Sequence, residues 1–255
     1  MANKVFEDYF DEDYQSFKKY VEKYKNTRNL AEVNASVNIG YDSAIRGQLS
    51  LMNKIKKNDK DHKFKDELIN NVTCELEKII KNPPKGEKEF DDAHKKLRKL
   101  VMDNFEKYPN LKTFFNEREG YGQKIINVAL KCLYSLDRSC TWIEEYGHFV
   151  IDSFTLKFSL GYLVKCDKKN RTFKKDFAKV WTKMSDKQYE ELMDKLKKGF
   201  ASGSNLEYSL GKDKVVLPKS LVKAEFVVWH QEKLNKIVIY ENEIDRVRLK
   251  KGDRY

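Results

Sequence analysis

The chain has 255 residues, of which 40% are hydrophobic and 36% are charged. This composition excludes an intrinsically disordered chain, and the length suffices for one large domain or two small ones with a hydrophobic core. The 51 Lys and Arg residues exceed the 40 Asp and Glu residues by a net charge of +11, which favours nucleic acid as a partner, although lysine-rich helices with solvated faces give the same excess.

The sequence contains no apolar leader and no run of about 18 apolar residues, so we expect a cytoplasmic protein that does not span a membrane. Its cysteines lack the spacing of zinc or iron–sulfur ligands, and its histidines form no H-E-x-x-H motif. No Walker A phosphate loop occurs either. We therefore expect reduced thiols, no bound metal and no cofactor. The four cysteines are Cys74, Cys132, Cys140 and Cys166.

Apolar residues recur at helical spacing through the N-terminal half, which predicts an all-helical region. The first helix carries an aromatic stripe, interpreted as core, and residues 26–40 are predicted to form a loop. Pro83-Pro84 and Tyr108-Pro109 end the third and fourth helices, because proline cannot continue a helix. The four helices are predicted over residues 6–24, 44–55, 64–79 and 90–105.

Two glycines one residue apart, Gly120 and Gly122, precede a helical pattern that runs from Ile125 to Leu136. This arrangement predicts a helix that stops, turns tightly and restarts, because glycine adopts a positive φ without steric cost. The backbone N–H groups at the start of the second helix would then face a bound phosphate. Lys124 lies in the first turn of that helix, and Asp152 begins a further helix.

Residues 120–127 (GYGQKIIN) resemble the hairpin of the helix-hairpin-helix DNA glycosylases, and residues 150–154 (VIDSF) resemble the apolar-aspartate segment that follows it. In the 8-oxoguanine-type members of that family, a lysine at the position of Lys124 attacks the sugar and an aspartate at the position of Asp152 assists. The resemblance covers about residues 110–160. It implies DNA binding, base flipping and cleavage of the N-glycosidic bond.

The resemblance also implies which residues contact DNA. The hairpin residues Gly120, Gly122 and Gln123 would bind a phosphate. Residues 137–147 would be an insertion relative to the family, and Trp142 within them is a candidate for stacking on a base. His148 could reach the same cleft as Asp152, although its position favours a structural role.

Each catalytic candidate has a structural alternative. Asp152 followed by Ser153 is also a common helix N-cap, which needs no catalytic role. Lys124 could be a solvated surface lysine. Lys131 is a rival nucleophile at a plausible distance along the chain from Asp152, and it too could be an ordinary surface lysine.

After Asp152, further helices are predicted over residues 154–162, 173–181 and 185–196. Residues 201–217 are predicted to form a loop with little fixed order that could act as a flap. The run from Leu221 to Trp229 is ambiguous between a helix and a buried strand, and a small β-hairpin is predicted around residues 241–243.

Together these patterns predict a mostly α-helical protein with a central helix-hairpin-helix and three regions. Residues 1–82 form an N-terminal helical region, residues 83–200 the helix-hairpin-helix core, and residues 201–255 a loop and a C-terminal segment that packs back on the core. The predicted function is that of a DNA glycosylase and lyase. Two alternatives stay open: a non-catalytic helical protein that binds nucleic acid or takes part in defence, and a protein–protein adaptor.

Overall fold

The computed structural model describes residues 6–45, 53, 55, 63–108, 111–112, 115, 118–177, 180–201, 207–210 and 213–232. The protein is mostly α-helical, as predicted. The helices are α1 (Phe6–Arg28), α2 (Glu32–Ile45), α3 (Lys63–Lys81), α4 (Glu87–Glu106), α5 (Gly120–Leu136), α6 (Thr141–Tyr146), α7 (Thr155–Cys166), α8 (Asn170–Asp176), α9 (Asp186–Ala201) and α10 (221–232). A short 3₁₀-helix spans Trp181–Lys183, and two strands, β1 (Glu207–Leu210) and β2 (Asp213–Val216), follow α9.

Helix α5 lies at the centre of the fold and packs against α1, α2, α4, α6 and α9. Its closest neighbour is α2, and the two backbones nearly touch at Gly40. A Cβ atom added there would lie 2.3 Å from the carbonyl oxygen of Ile125, so only glycine fits at this crossing. Because α5 is surrounded, most of its side chains are buried, including several polar ones.

The predicted loop over residues 26–40 is wrong. Helix α1 continues to Arg28 and α2 already begins at Glu32, so the break is short and contains Asn29 at a φ of 50°. Helix α2 buries residues around most of its circumference, from Ala35 to Ile45. A helix buried on several sides lacks the one-sided apolar periodicity that marks an amphipathic helix.

Two predictions for the C-terminal part are now decided within the described residues. The loop predicted over residues 201–217 is wrong for Glu207–Leu210 and Asp213–Val216, because β1 and β2 pair antiparallel with Tyr208 opposite Val215. The ambiguous run is helical and forms α10. The hairpin predicted around residues 241–243 lies outside the described residues.

Part of the aromatic stripe of α1 belongs to the core, as predicted, because Phe6 and Phe10 are buried, but Tyr20 is exposed. Tyr14 of the same helix is also buried, and the ring centroid of Phe226, on α10, lies 5.7 Å from those of Phe10 and Tyr14. The main hydrophobic cluster thus contains side chains from all three predicted regions. The division into regions stays a prediction.

Two further findings concern the whole of the described chain. All four cysteines are present as thiols. None of the helices in the described ranges has both the length and the apolar character needed to cross a membrane.

Candidate active site

The two glycines of the predicted hairpin lie within the first turn of α5, and neither has a positive φ. The tight turn was predicted at the two glycines, and this position is wrong. The non-helical residues are Arg118 and Glu119, directly before Gly120. A Cβ atom added at Gly120 would lie 1.9 Å from the carbonyl oxygen of Trp181. One at Gly122 would lie 3.2 Å from the carbonyl oxygen of Arg98, so both glycines allow close backbone packing.

The structure brings together the two predicted catalytic side chains, Lys124 and Asp152. The Nζ atom of Lys124 lies 3.4 Å from Oδ2 of Asp152, and their side chains are 14% and 4% exposed. The same ammonium lies 4.7 Å from the ring centroid of Trp181, within the range of a cation–π contact. Lys124 is thus held between a carboxylate and an indole, and it is not the solvated surface lysine of the structural alternative.

Asp152 is fixed by bonds to both of its carboxylate oxygens. Oδ1 accepts hydrogen bonds from the backbone N–H groups of Phe154 at 2.8 Å and Thr155 at 3.2 Å. Oδ2 accepts from the indole N–H of Trp229 at 3.2 Å. The backbone N–H of Asp152 donates to the Thr155 hydroxyl at 2.9 Å, so the aspartate also caps the turn that leads into α7. Capping and contact with Lys124 use different oxygens.

Gln123 supports the site from inside the protein. Its Nε2 donates to the carbonyl oxygen of Ile151 at 2.5 Å, and its Oε1 accepts from the Ile151 backbone N–H at 3.2 Å. These two bonds hold the segment before Asp152 against α5. Gly120, Gly122 and Gln123 are all buried, so the surface that their predicted phosphate contact requires is absent at these positions.

The two candidates for base stacking are both buried. Trp142 lies in α6 and packs against Phe90, with ring centroids 6.0 Å apart. The Nδ1 atom of His148 lies 2.9 Å from the hydroxyl of Tyr189, and its Nε2 lies 2.8 Å from Oδ1 of Asp91. Neither ring can stack on a base in this arrangement, because each is enclosed by the packing of α4.

His148 belongs to a buried polar network that ends at Gln123. The amide of Asn127 donates to the Tyr189 hydroxyl at 2.8 Å and to Oε1 of Gln123 at 3.1 Å, while its Oδ1 lies 2.6 Å from Nε2 of His94. Burial lowers the pKa of His148 to about 4, against a smaller opposing effect of Asp91. Burial also lowers the pKa of His94. Both imidazoles are therefore neutral near pH 7.

Lys131, the rival nucleophile, lies two helical turns from Lys124 on α5 and is not a surface lysine. Its ammonium forms an ion pair with Glu225 of α10, and both side chains are buried. Burial raises the pKa of Glu225, and the charge of Lys131 opposes that effect. Because Lys131 is enclosed and already paired, Lys124 is the more accessible of the two amines.

Sequence reasoning missed Glu225, which pairs with Lys131, and Trp229, which donates to Asp152. They lie one turn apart on α10, a spacing that puts two side chains on one helix face. This four-residue spacing could have predicted a shared helix face. It was not used, because the sequence left the run from Leu221 to Trp229 ambiguous between a helix and a strand. No group of three or more His, Cys, Asp or Glu side chains within the described part of the chain is arranged to hold a metal ion.

The fold and this site define a mostly α-helical protein with a lysine–aspartate pair set between two indoles. No protein-family model, no curated protein and no solved structure matches the chain.

Proposed function

We propose that the protein binds DNA and excises a base from it, with Lys124 as the nucleophile and Asp152 as its partner. The observation that supports this proposal is the meeting of two side chains that lie 28 residues apart in the sequence. Their charged atoms are 3.4 Å apart in a mostly buried position. A general base must lie within hydrogen-bond reach of the proton it removes, and apo enzymes commonly hold this contact slightly long.

In the proposed reaction the target nucleotide is first turned out of the duplex, because its sugar carbon is inaccessible in the stack. Asp152 accepts a proton from the Lys124 ammonium, and the free amine then attacks C1′. The C1′–N bond breaks, its electron pair leaves with the base, and the base takes up a proton from solvent. Opening of the sugar ring converts the adduct into a Schiff base, from which β-elimination can cleave the strand.

The neighbouring indoles support the geometry that this reaction needs. The N–H of Trp229 orients Oδ2 of Asp152, and the ring of Trp181 lies against the Lys124 ammonium. Oδ1 accepts from the backbone N–H groups of Phe154 and Thr155, whereas Oδ2 faces the ammonium and is the oxygen proposed to accept its proton. The ammonium and the carboxylate are thus already within reach of each other before a nucleotide binds.

The test is borohydride trapping on duplexes that carry damaged bases or abasic sites. We expect the wild-type chain to form a covalent adduct and the Lys124→Gln variant to form none, because reduction captures only a lysine Schiff base. The matched control is Lys157→Gln, which removes an exposed lysine on α7 and leaves trapping unchanged. The lyase proposal fails if the wild-type chain yields no adduct on any duplex, or if Lys124→Gln equals it.

A second variant separates a catalytic aspartate from a capping one. Asparagine caps helices as well as aspartate does, so Asp152→Asn retains the bonds from Phe154 and Thr155. It also removes the counter-charge of Lys124, so we expect it to unfold at a lower temperature than the wild type while remaining folded at the assay temperature. Without a general base, excision falls by about 100-fold or more. Unchanged excision in this folded variant would leave Asp152 as a cap alone.

The alternative of non-catalytic DNA binding predicts retention of duplexes on a filter with steep salt dependence and no base release. The adaptor alternative predicts no retention at physiological salt. Filter binding at two salt concentrations distinguishes the alternatives before any chemistry is measured.

A further inference from the structure

A concentrated group of basic side chains, which we name the basic corner, lies between the end of α7 and the end of α8. All of its members are exposed, and Asp167 is the one acidic residue between the first and the last of them. The basic corner comprises Lys165, Lys168, Lys169, Arg171, Lys174 and Lys175. Together with Asp167 and with Asp176, which ends α8, residues 165–176 carry a net charge of +4.

The cations of the basic corner differ from several exposed lysines elsewhere in that none of them is paired with a carboxylate in the part of the chain that the structure describes. Lysines on α3 and α4 pair with carboxylates one turn away: Lys78 with Glu75 at 2.9 Å, Lys88 with Asp92 at 2.9 Å, and Lys99 with Asp103 at 3.1 Å. None of the six in the basic corner forms an ion pair with a carboxylate in the described ranges. The carboxylate of Asp167 instead accepts from the backbone N–H of Lys169 at 2.9 Å.

The basic corner is held on the folded body. The Asn170 side-chain amide donates to the Leu163 carbonyl oxygen at 3.0 Å, which fixes the start of α8 on α7. The ring of Phe173 lies 5.1 Å from that of Phe177, and the Lys195 ammonium of α9 lies 4.9 Å from the Phe173 ring centroid. Because the backbone that carries these cations is already ordered, binding to a polyanion costs less ordering entropy than it would in an unfolded segment.

We propose that the basic corner binds the phosphate backbone of duplex DNA. Unpaired, closely spaced cations gain from phosphates through release of the counterions condensed on DNA, whereas lysines already paired with carboxylates gain less. An anionic membrane fits less well, because a helix that lies on a membrane needs a broad apolar face. The one large apolar side chain of α8, Phe173, is half-buried.

This inference rests on the proposed function only for the choice of DNA as the polyanion. Asp152 precedes α7 and the basic corner follows it, and the 12 residues of α7 span about 18 Å. That distance corresponds to about five base pairs of duplex, so one bound duplex is long enough to reach both places.

The test is fluorescence anisotropy with an undamaged duplex of about 20 base pairs, at about 50 and 200 mM salt. The corner variant combines Lys168→Gln, Arg171→Gln and Lys175→Gln. The control variant removes the same charge from paired lysines with Lys78→Gln, Lys88→Gln and Lys99→Gln. We expect the corner variant to lose at least about tenfold in affinity and to reduce the slope of log K against log salt by about 2 to 3, with a much smaller loss in the control.

Equal losses in both variants would overturn the proposal, since net charge alone would then explain binding, and so would an unchanged affinity in the corner variant. Vesicles of phosphatidylserine and phosphatidylcholine serve as the competing partner, and a corner variant that loses vesicle binding but keeps DNA binding also overturns the proposal. The duplex is undamaged and no base is released, so the result is independent of the excision chemistry. A chain that binds through the basic corner but never excises a base supports this inference alone.

Discussion

At the residue scale, the position of the lysine–aspartate pair depends on Gln123. Its amide makes both a donor and an acceptor contact with the backbone of Ile151, as a neighbouring strand would. Through Asn127 the same amide joins the buried network of His94, His148 and Tyr189. The lysine–aspartate pair therefore rests on a buried set of hydrogen bonds, which His148 connects to the partly exposed carboxylate of Asp91 and His94 connects to the buried guanidinium of Arg98.

The network makes stability depend on pH through His148. Its pKa in the folded protein is about 4, below the value of about 6.5 in an unfolded chain, so the folded state favours the neutral ring. This contribution is fully present above pH 6.5 and is lost as the pH falls toward 4. We expect the free energy of unfolding, measured with urea, to fall by about 2 kcal/mol between pH 7 and pH 5 because of this group.

The comparison for this prediction is His148→Gln, which cannot take up a proton. Its unfolding free energy is lower at pH 7, because the bonds to Tyr189 and Asp91 are altered, but it varies less between pH 7 and pH 5. His94 contributes to the remaining dependence, since burial lowers its pKa as well. Equal pH dependence in the two proteins would contradict the assignment.

The charged residues of the site, Lys124 and Asp152, were predicted from the sequence, whereas the roles of the residues that position them, Gln123 and Trp229, were not. Lys124 and Asp152 follow from the resemblance, and they do meet. Gln123 could not be assigned in the same way, because its partner is backbone 28 residues further along the chain and leaves no side-chain pattern. The bond from Trp229 to Asp152 could not be predicted from the sequence, because it depends on how α10 packs against the rest of the protein.

At the element scale, the contact between α2 and α5 sets the centre of the fold. Gly40 lets the two backbones approach, and Gly120 and Gly122 play the same part where α5 meets the 3₁₀-helix and α4. The sequence identified these glycines as special positions. It could not distinguish glycines that form a turn from glycines that allow two backbones to pack closely. Close packing depends on the neighbouring helix, which local sequence does not encode.

Gly40→Ala tests the close contact between these helices. The new Cβ atom would lie 2.3 Å from a backbone oxygen that cannot move without shifting α5, so we expect unfolding to become easier by about 2 kcal/mol or more. Thermal and urea unfolding measure the effect. The matched control is Gly161→Ala within α7, where a Cβ meets nothing within 4 Å and alanine stabilises the helix by about 0.5 to 1 kcal/mol. Equal effects at the two positions would contradict the packing argument.

At the scale of the whole molecule, α10 connects distant parts of the chain through polar contacts. Glu225 pairs with Lys131 of α5, Trp229 donates to Asp152, and His230 pairs with Asp13 of α1. The burial of α10 could be suspected from its apolar run, but its partners could not, because they lie far away in sequence. The overall class of fold was predictable, since long helical patterns are the strongest local signal.

The buried pair of Lys131 and Glu225 gives a prediction at this scale. Removing one partner leaves the other charge buried and uncompensated, so Lys131→Met and Glu225→Leu should each lower the free energy of unfolding by about 3 to 5 kcal/mol. The double variant removes both charges and should be more stable than either single variant. Urea unfolding of the wild type, the two single variants and the double variant forms a double-mutant cycle. If the loss of unfolding free energy in the double variant equals the sum of the two single losses, the proposed coupling is contradicted.

The contacts of α10 bear on the order in which the site forms. Glu225 and Trp229 are synthesised after helices α1 to α9, so Lys131 and Asp152 have no partner from α10 until that helix has been made. A shortened polypeptide that stops before residue 221 would lack the indole donor to Asp152 and would leave Lys131 without its counter-charge. The pair of Lys124 and Asp152 thus gains its contact with Trp229 only after α10 docks.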